Sequence, residues 1–258
     1  SPGLAKKAIS ATVNGAHWDL QWPITGNASI SIHTMQDNPQ ALELIRHDAA
    51  HVCAEAVQDL WPGTQVTIGP VIEHGFFYDF ARNEPFTPDD LPKIEAKMRE
   101  LVAADLPTKR TVWERDKAVA HFRDQGEQYK AEIIQALPAN EEVRVYYLGD
   151  WHDLCRGPHV ERTSQIKSFK LLNVAGSYYR GSEMNPMLQR VYATAFPTQA
   201  ELDEHLRRVE EAKQRDPIRI FIDQLKEHGL LTDEELNAID ERVKAEVEDA
   251  AEFADRSP

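Results

Sequence analysis

The sequence has few cysteines and no long hydrophobic run. Only two of its 258 residues are cysteine, Cys53 and Cys155, which is too few for the disulfide framework of a small secreted domain. No stretch approaches the roughly 20 apolar residues that a membrane-spanning helix needs. The first residues also lack the apolar segment that is typical of a signal peptide. We therefore expect a reduced, cytoplasmic location and no contact with a membrane.

Basic residues are also in short supply. The chain has 29 Lys and Arg residues against 43 Asp and Glu residues, which gives a net charge of −14. Broad, non-specific binding of nucleic acid depends on neutralising phosphates with Lys and Arg, so this balance argues against it. It leaves room for a local pocket that recognises one end of an RNA. In that case, other parts of a larger protein are expected to supply much of the affinity.

Helix and strand patterns are mixed along the chain, which predicts an α+β fold with a mixed or antiparallel sheet and long helices. Short alternating segments with an Asn14-Gly15 turn predict strands between about residues 12 and 34. They are too short to bury a core alone. We therefore divide the chain into four segments: a partial small β-rich module (1–35), a larger domain (36–198), a charged linker helix (199–215) and a helical hairpin tail (216–258).

One long helix carries two histidines. It is expected to begin at Asn38-Pro39, an N-cap residue followed by a proline at the first helical position, and to end near Leu60. An apolar stripe runs along one side of this helix: Ile45, Ala49, Val52 and Ala56. His47 and His51 fall on the opposite side, one turn apart.

Further elements complete the expected fold. The patterns predict a second helix and five strands, at residues 87–105, 66–68, 76–80, 143–148, 171–174 and 189–193. In the tail, a helix restarts at Asp216-Pro217 and ends at Gly229 as a C-cap. A capping box at residues 232–235 then opens a final helix. That helix carries a single apolar stripe, which predicts something packed upon it: Leu236, Ile239, Val243 and Val247.

Two pairs of side chains carry the candidate chemistry. His47 and His51 lie four residues apart on a helix, and Cys155 and His159 repeat that spacing in a loop where Gly157-Pro158 excludes a regular helix. Either pair alone is usually structural, as we expect for Cys53, a small buried hydrophobe. Together, the four side chains match a tetrahedral zinc site, closed or with one position left for water.

These motifs resemble the editing domain shared by threonyl- and alanyl-tRNA synthetases. Five segments match the threonyl branch of bacterial type: residues 45–47, 68–73, 75–79, 153–159 and 185–190. Residues 2–34 resemble the second half of the small β-grasp (TGS-like) module that precedes editing in that family. The resemblance covers residues 1 to about 215 and then stops.

The resemblance implies a hydrolase that deacylates mischarged Ser-tRNA(Thr). A site built for threonine cannot strongly reject serine, which lacks one methyl group worth about 1–3 kcal/mol, so a second site removes the error. The expected partner is the acceptor end of tRNA(Thr). Tyr78 is implied as a substrate-binding residue. Six residues are implied in catalysis: His47, His51, Lys130, Asp153, Cys155 and His159.

The role of a metal stays open at this point. Ligand types and spacing predict zinc on His47, His51, Cys155 and His159, where it would lower the pKa of a bound water towards about 7. The resemblance implies instead that protein groups hydrolyse the ester themselves. A histidine would then take the proton of the water. Lys130 would donate to the developing charge or the serine hydroxyl, and Asp153 would orient an imidazole or bind the amino group.

Two other functions remain as alternatives. The first alternative is a non-catalytic module that binds the acceptor end of a tRNA. The second is a zinc-dependent esterase of other substrates. Retention of all the implied residues favours the deacylase. After Arg215 the sequence offers no ATP site and no room for an aminoacylation core, so we expect no charging of tRNA.

The tail changes family. Residues 216–258 resemble the C-terminal helices of the alpha subunit of pyruvate dehydrogenase E1, although an unrelated helical hairpin explains the pattern equally well. The segment carries no thiamine-diphosphate motif and implies no dehydrogenase activity. Its apolar stripe is expected to pack on a synthetase core or on a partner protein.

Overall fold

The computed structural model describes residues 2–5, 7–35, 39–215 and 217–256. The chain forms two compact units, Ser1–Leu202 and Asp203–Pro258. Every strand pair within the described ranges is antiparallel, and helices are interspersed with the sheets, so the predicted α+β class is confirmed. None of the helices in these ranges has the length and apolarity that would let it cross a bilayer.

The elements follow one another in this order along the chain: α1 (Pro2–Ala5), β1 (Ala8–Val13), β2 (Ala16–Trp18), β3 (Ile30–Thr34), α2 (Pro39–Leu60), β4 (Gln65–Val66), β5 (Val71–Ile72), β6 (Gly75–Ala81), α3 (Leu91–Ala103), β7 (Thr108–Trp113), α4 (Arg115–Asp124), α5 (Gln128–Ala136), β8 (Val143–Leu148), β9 (Trp151–Leu154), β10 (Ser168–Tyr178), β11 (Met187–Phe196), α6 (Gln199–Gln214), α7 (Pro217–Glu227) and α8 (Asp233–Arg256).

The N-terminal segment forms a three-stranded sheet in the order β2-β1-β3. The turn between β1 and β2 lies at Asn14-Gly15, where both residues have a positive φ of 51° and 82°. Asn and Gly tolerate this left-handed conformation, so the turn predicted from the sequence is confirmed. Strand β1 is buried along most of its length and packs against α2.

Helix α2 is the central element of the first unit. Its predicted apolar stripe is buried, and it packs against β6 and β11 of the main sheet. The opposite side is also buried, at Asp48 and His51, because the loop after β9 covers it. The helix therefore presents its histidines to the inside of the fold. Its predicted N-cap, Asn38, lies outside the described residues.

The main sheet has five strands, in the order β10-β11-β6-β4, with β5 paired to β6. Helix α3 packs on α2 and β10, which encloses a core of large apolar side chains. The fully buried members include Phe76, Phe80, Ile94 and Phe169. This core fixes α2 relative to the sheet.

A second, smaller core lies between a three-stranded sheet, β7-β8-β9, and the helix pair α4 and α5. The sequence patterns do not predict β7, α4 or α5. Strand β7 has only one fully buried residue, Thr108, so alternation is weak. The helices have 10 and 9 residues, too few for a helical period to stand out. The omission matters, because α5 carries Lys130.

The second unit consists of helices with well-defined ends. Gly229 has a φ of +66°, and the Leu230 amide donates to the Leu225 carbonyl at 2.8 Å, which is the Schellman geometry of a C-cap. Thr232 and Glu235 exchange the hydrogen bonds of a capping box. Both predicted ends are therefore confirmed, whereas Asp216 lies outside the described residues. Most of the apolar stripe of α8 is exposed.

Candidate active site

Four side chains from distant segments meet beside α2. His47 and His51 come from α2, and Cys155 and His159 come from the loop after β9. Their ligand atoms all lie within 4.8 Å of one another. The Nε2 atom of His47 is 3.0 Å from the Sγ atom of Cys155 and 3.4 Å from the Nε2 atom of His159. The structure thus brings together the two pairs that the sequence singles out.

The loop of residues 155–159 owes its shape to Gly157. This residue has a φ of +68°, and a Cβ atom there would lie 2.0 Å from the hydroxyl oxygen of Tyr146. Only glycine combines that conformation with so close an approach. The Gly157 amide donates to the Sγ atom of Cys155 at 3.3 Å. The chain turns back here, so that Cys155 and His159 both face α2.

Asp48 fixes the ring of His159. Its Oδ1 atom is 2.8 Å from Nδ1 of the histidine, and its Oδ2 atom accepts from the Val160 amide at 3.2 Å. Burial lowers the pKa of His159, but Asp48 and Cys155 outweigh it and hold the pKa well above its usual value. Asp48 is not among the residues predicted from the sequence. The available signal was its position directly after His47, between the two histidines of the motif.

Asp153 organises a second buried group. Its carboxylate lies 3.2 Å from Nδ1 of His51 and 2.6 Å from Nζ of Lys130, and it accepts from the Tyr78 hydroxyl at 2.8 Å. Lys130 in turn donates to Tyr78 at 3.1 Å. Lys130 is only 3% exposed, so it is no ordinary surface lysine. The structure therefore places all seven residues named from the sequence in one region.

Burial and neighbouring charges shift the pKa values of Asp153 and Tyr78. Burial raises the pKa of Asp153, but Lys130 and His51 outweigh it and hold the pKa at about 2. The carboxylate therefore stays charged at neutral pH. Burial and Asp153 raise the pKa of Tyr78 well above its usual value, so its hydroxyl remains a donor.

Cys155 has the environment of a thiolate. Burial raises the pKa of its thiol, but the charges of His47, His159 and His51 outweigh burial and lower the pKa well below its usual value. Burial likewise lowers the pKa of His51, and Cys155 and Asp153 more than offset it. A thiol in such surroundings ionises readily, and sulfur and imidazole nitrogen together are ligands that zinc and other soft cations prefer. Cys53, in contrast, is fully buried as expected, and burial raises its pKa to about 12.

Comparison with known proteins finds similarity over the part of the chain that contains the site. Residues 143–192 match the family described as the threonyl and alanyl tRNA synthetase second additional domain. The chain is 59% identical to a threonine–tRNA ligase of Dinoroseobacter shibae over 218 residues, which is 84% of this chain and 33% of the relative. It is 59% identical to that of Rhodospirillum rubrum over 220 residues, 85% of this chain and 34% of the relative. The resemblance to threonine–tRNA ligases is confirmed.

The similarity is limited to part of each relative. The chain spans about a third of the length of the threonine–tRNA ligases that it matches. Residues 204–258 match a different family, described as the dehydrogenase E1 component, which confirms the resemblance of the tail. That match begins within α6, twelve residues before the boundary at residue 216 that the sequence analysis drew.

A cleft of about 440 Å³ opens onto the site. Its lining combines polar and apolar side chains, and it includes six of the seven residues named from the sequence, all except His159. The apolar members include Ile68, Pro70, Ile133 and Leu137. A cleft of this size and mixed lining is typical of a small-ligand site.

The donor set fits a zinc ion. Tetrahedral zinc, with nitrogen at about 2.0 Å and sulfur at about 2.3 Å, places its ligand atoms roughly 3.3–3.8 Å apart, close to the distances from His47. The Nδ1 atoms of His51 and His159 each face a carboxylate, from Asp153 and Asp48. This arrangement leaves both Nε2 atoms for the centre of the cluster, as in histidine metal sites.

Two further residues touch the site without any signal in the sequence. The ring of Tyr146 lies 4.1 Å from the ring of His159, measured between centroids, and its hydroxyl donates to Asp19 at 2.7 Å. Asp19 comes from the N-terminal segment, 140 residues before His159. Neither belongs to a recognisable motif, and only the fold brings them together.

Proposed function

We propose that this chain is an editing deacylase, which hydrolyses the ester of mischarged Ser-tRNA(Thr). The observation that carries the proposal is the convergence of two histidine-containing pairs beside a buried lysine–aspartate pair. Every member of the two groups except His159 lines one cleft, and His159 lies within 4.8 Å of the other three ligand atoms of its group. The similarity to threonine–tRNA ligases supports the choice of threonine tRNA as the substrate.

In this mechanism a histidine activates water. Asp153 lies against Nδ1 of His51, which leaves Nε2 to accept the proton of the attacking water. His47 and His159 lie within the same cluster and help to place that water. Cys155 shapes the pocket between them. The water then attacks the carbonyl carbon of the seryl ester, the bond from that carbon to the ribose oxygen breaks, and His51 returns its proton to that oxygen as the free serine leaves.

Lys130 stabilises the negative charge that develops on the ester. Its ammonium group has three donors, of which Asp153 and Tyr78 engage two. The third donates to the oxyanion, or to the serine hydroxyl. Preorganised donors of this kind contribute most in a site that excludes water. Tyr78 holds Lys130 and Asp153 in place at the substrate side.

Zinc is the alternative source of an activated water. His47, His51, Cys155 and His159 would hold it, and bound zinc lowers the pKa of water to about 7. Metal analysis of the purified protein, combined with chelation, separates the two versions. Stoichiometric zinc, with activity lost on chelation and restored by metal, establishes the metal version. Full activity in metal-free protein assigns the proton transfer to the imidazoles.

The proposed partner is the acceptor end of tRNA(Thr), which also implies action in the cytoplasm. The net charge of −14 is unfavourable for gripping a long stretch of RNA. We infer that the site recognises only the aminoacylated end, and that other parts of a larger enzyme supply the remaining affinity. Editing in cis and in trans are both compatible with this arrangement.

Deacylation of Ser-tRNA(Thr), with Thr-tRNA(Thr) as the control substrate, is the decisive assay. We expect rapid loss of serine and slow loss of threonine. Binding of the charged tRNA without hydrolysis would identify a non-catalytic module. Zinc-dependent turnover of simple esters without tRNA would identify a general esterase. We expect no threonine-dependent ATP–pyrophosphate exchange from the pure chain.

A further inference from the structure

Asp19 lies in the loop that follows β2, where the N-terminal sheet meets the rest of the first unit. Although the loop is at the edge of a small sheet, the side chain is buried. A buried carboxylate is costly unless donors surround it. Asp19 has three donors, and all of them come from outside the N-terminal segment.

Both oxygen atoms of this carboxylate are engaged. Its Oδ2 atom accepts from the Tyr146 hydroxyl at 2.7 Å and lies 3.4 Å from an Arg110 nitrogen. Its Oδ1 atom accepts from the backbone amide of His159 at 2.9 Å. Charged acceptors make the stronger hydrogen bonds, so these contacts fix Asp19 and its partners together.

His159 is therefore held from three directions. Asp48 on α2 holds its ring nitrogen, Asp19 holds its backbone, and Tyr146 covers its ring face. The Tyr146 hydroxyl also lies against Gly157, within the same loop. Loss of Asp19 removes the backbone contact and the acceptor for Tyr146 at once.

The loop that carries Asp19 is itself fixed. The Trp18 indole donates to the Trp22 carbonyl at 2.9 Å, and the Trp22 amide donates to the Asp19 carbonyl at 3.0 Å. The guanidinium of Arg110 lies over the Trp22 ring, 3.9 Å from its centroid. The loop is thus anchored both to its own strand and to β7.

We propose that the N-terminal segment is part of the candidate active site, with Asp19 as a positioning residue for the 155–159 loop. Asp19 touches no reacting atom and acts through His159 and Tyr146. Its effect on catalysis rests on the proposed deacylase function, whereas its effect on the loop does not. Residues 1–35 therefore serve the site directly and are more than an attached module.

Hydrogen exchange of the His159 amide, followed by NMR on the full chain, tests the positioning without any substrate. In Asp19→Ala the amide loses its acceptor, and we expect its exchange to become at least about tenfold faster. Asp19→Asn keeps an oxygen acceptor for that amide and should retain exchange within about threefold of the wild type. Unchanged exchange in Asp19→Ala overturns the proposal.

The kinetic test uses the same variants with Ser-tRNA(Thr). Misplacement of His159 should lower kcat of Asp19→Ala about tenfold or more and leave KM within about twofold. Asp19→Asn should recover most of kcat. Faster exchange with an unchanged kcat overturns the catalytic part. If the wild type hydrolyses no Ser-tRNA(Thr), the proposed function fails, and the exchange result still decides whether Asp19 positions the loop.

Two more variants separate positioning from general stability. Asp79→Asn is the matched control, because Asp79 is also a buried carboxylate. Asp79 lies on β6 and pairs with Arg190 on β11 at 2.7 Å. It should lower the melting temperature without faster exchange at His159. Tyr146→Phe removes the other end of the contact and leaves the N-terminal segment intact. This variant decides the question if Asp19→Ala does not fold. A lower kcat in Tyr146→Phe supports the proposal, and an unchanged kcat counts against it.

Discussion

The two units use their apolar residues in opposite ways. In Ser1–Leu202, large side chains such as Phe76 and Ile94 are fully buried. In Asp203–Pro258, Ile218 is 69% exposed, Phe221 is 59% exposed and Leu230 is 71% exposed. The first unit is stabilised by a core, whereas the helices of the second are defined by their caps and by neighbouring charges. The comparison indicates that local capping contacts define the ends of a helix even where its apolar side chains are exposed.

The chemistry follows the same division. Every residue of the candidate site lies in the first unit, and most of them are buried there. The charged pairs of the second unit are exposed, as at Lys244 and Glu241. Water and salt screen such pairs, so they contribute little to stability. Five measurements test how far this contrast extends.

The largest expected effect is at the site itself. His51→Ala removes the imidazole that Asp153 orients, and we expect kcat for Ser-tRNA(Thr) to fall by about 100-fold or more. Circular dichroism should show an intact fold. His74→Ala is the control, because this histidine of the same unit is exposed and should leave kcat within about twofold. A loss of less than tenfold in His51→Ala would contradict its role as the base.

The next effect contrasts the two sets of apolar side chains. Ile94→Ala leaves a cavity in the first core and should lower the free energy of unfolding by about 2–5 kcal/mol. Val247→Ala, in a side chain that is 62% exposed, should change it by no more than about 0.5 kcal/mol. Urea denaturation measures both. A similar cost for the two variants would mean that the stripe of α8 is covered in solution.

The stability of the two units should change with pH in opposite directions. Burial raises the pKa of Glu127 from 4.5 to about 7. The folded state therefore holds this proton more tightly, and the resulting stability is present below about pH 4.5 and lost as the pH rises through about 7. We expect the free energy of unfolding of the wild type to fall by about 1–3 kcal/mol between pH 5 and pH 8, relative to that of Glu127→Gln. Parallel pH profiles of the two proteins would refute this assignment.

In the second unit the sign is reversed. The Thr232 backbone lowers the pKa of Glu235. Its stabilising effect is thus present above pH 4.5 and is lost as the pH falls through the lowered pKa. Helicity of the tail should accordingly decrease in acid, and Glu235→Gln should reduce that decrease.

Removal of the tail should have the smallest effect of all on catalysis. A chain that ends at residue 215 keeps every side chain of the candidate site, so its kcat and KM for Ser-tRNA(Thr) should stay within about twofold. A larger loss, with an unchanged fold of the first unit, would show that the tail contributes to substrate binding.

Local signals in the sequence predicted much of the fold. Proline, glycine and capping residues defined the ends of α2, α7 and α8, because these ends depend on a few adjacent residues. The region of residues 107–137 was not predicted, because short helices and a half-exposed strand have weak patterns. Their structure depends on packing against β8, which is a contact between distant segments.

The candidate site divides in the same way. The spacing of His47 with His51, and of Cys155 with His159, is local and visible in the sequence. The resemblance supplied Lys130 and Asp153. Asp48, Asp19 and Tyr146 were missed, because their roles arise only when α2, the N-terminal loop and β8 converge on His159.

The middle of α2, residues 48–57, is buried on all sides, which has a consequence for motion. Such a helix opens only when the whole core opens, so its backbone amides should exchange as slowly as the most protected amides of the unit. The 155–159 loop is held instead by a few polar contacts, which break individually. Helix α2 is therefore expected to open only on global unfolding, whereas the 155–159 loop can open locally. A local opening of the loop would therefore leave the helix in place.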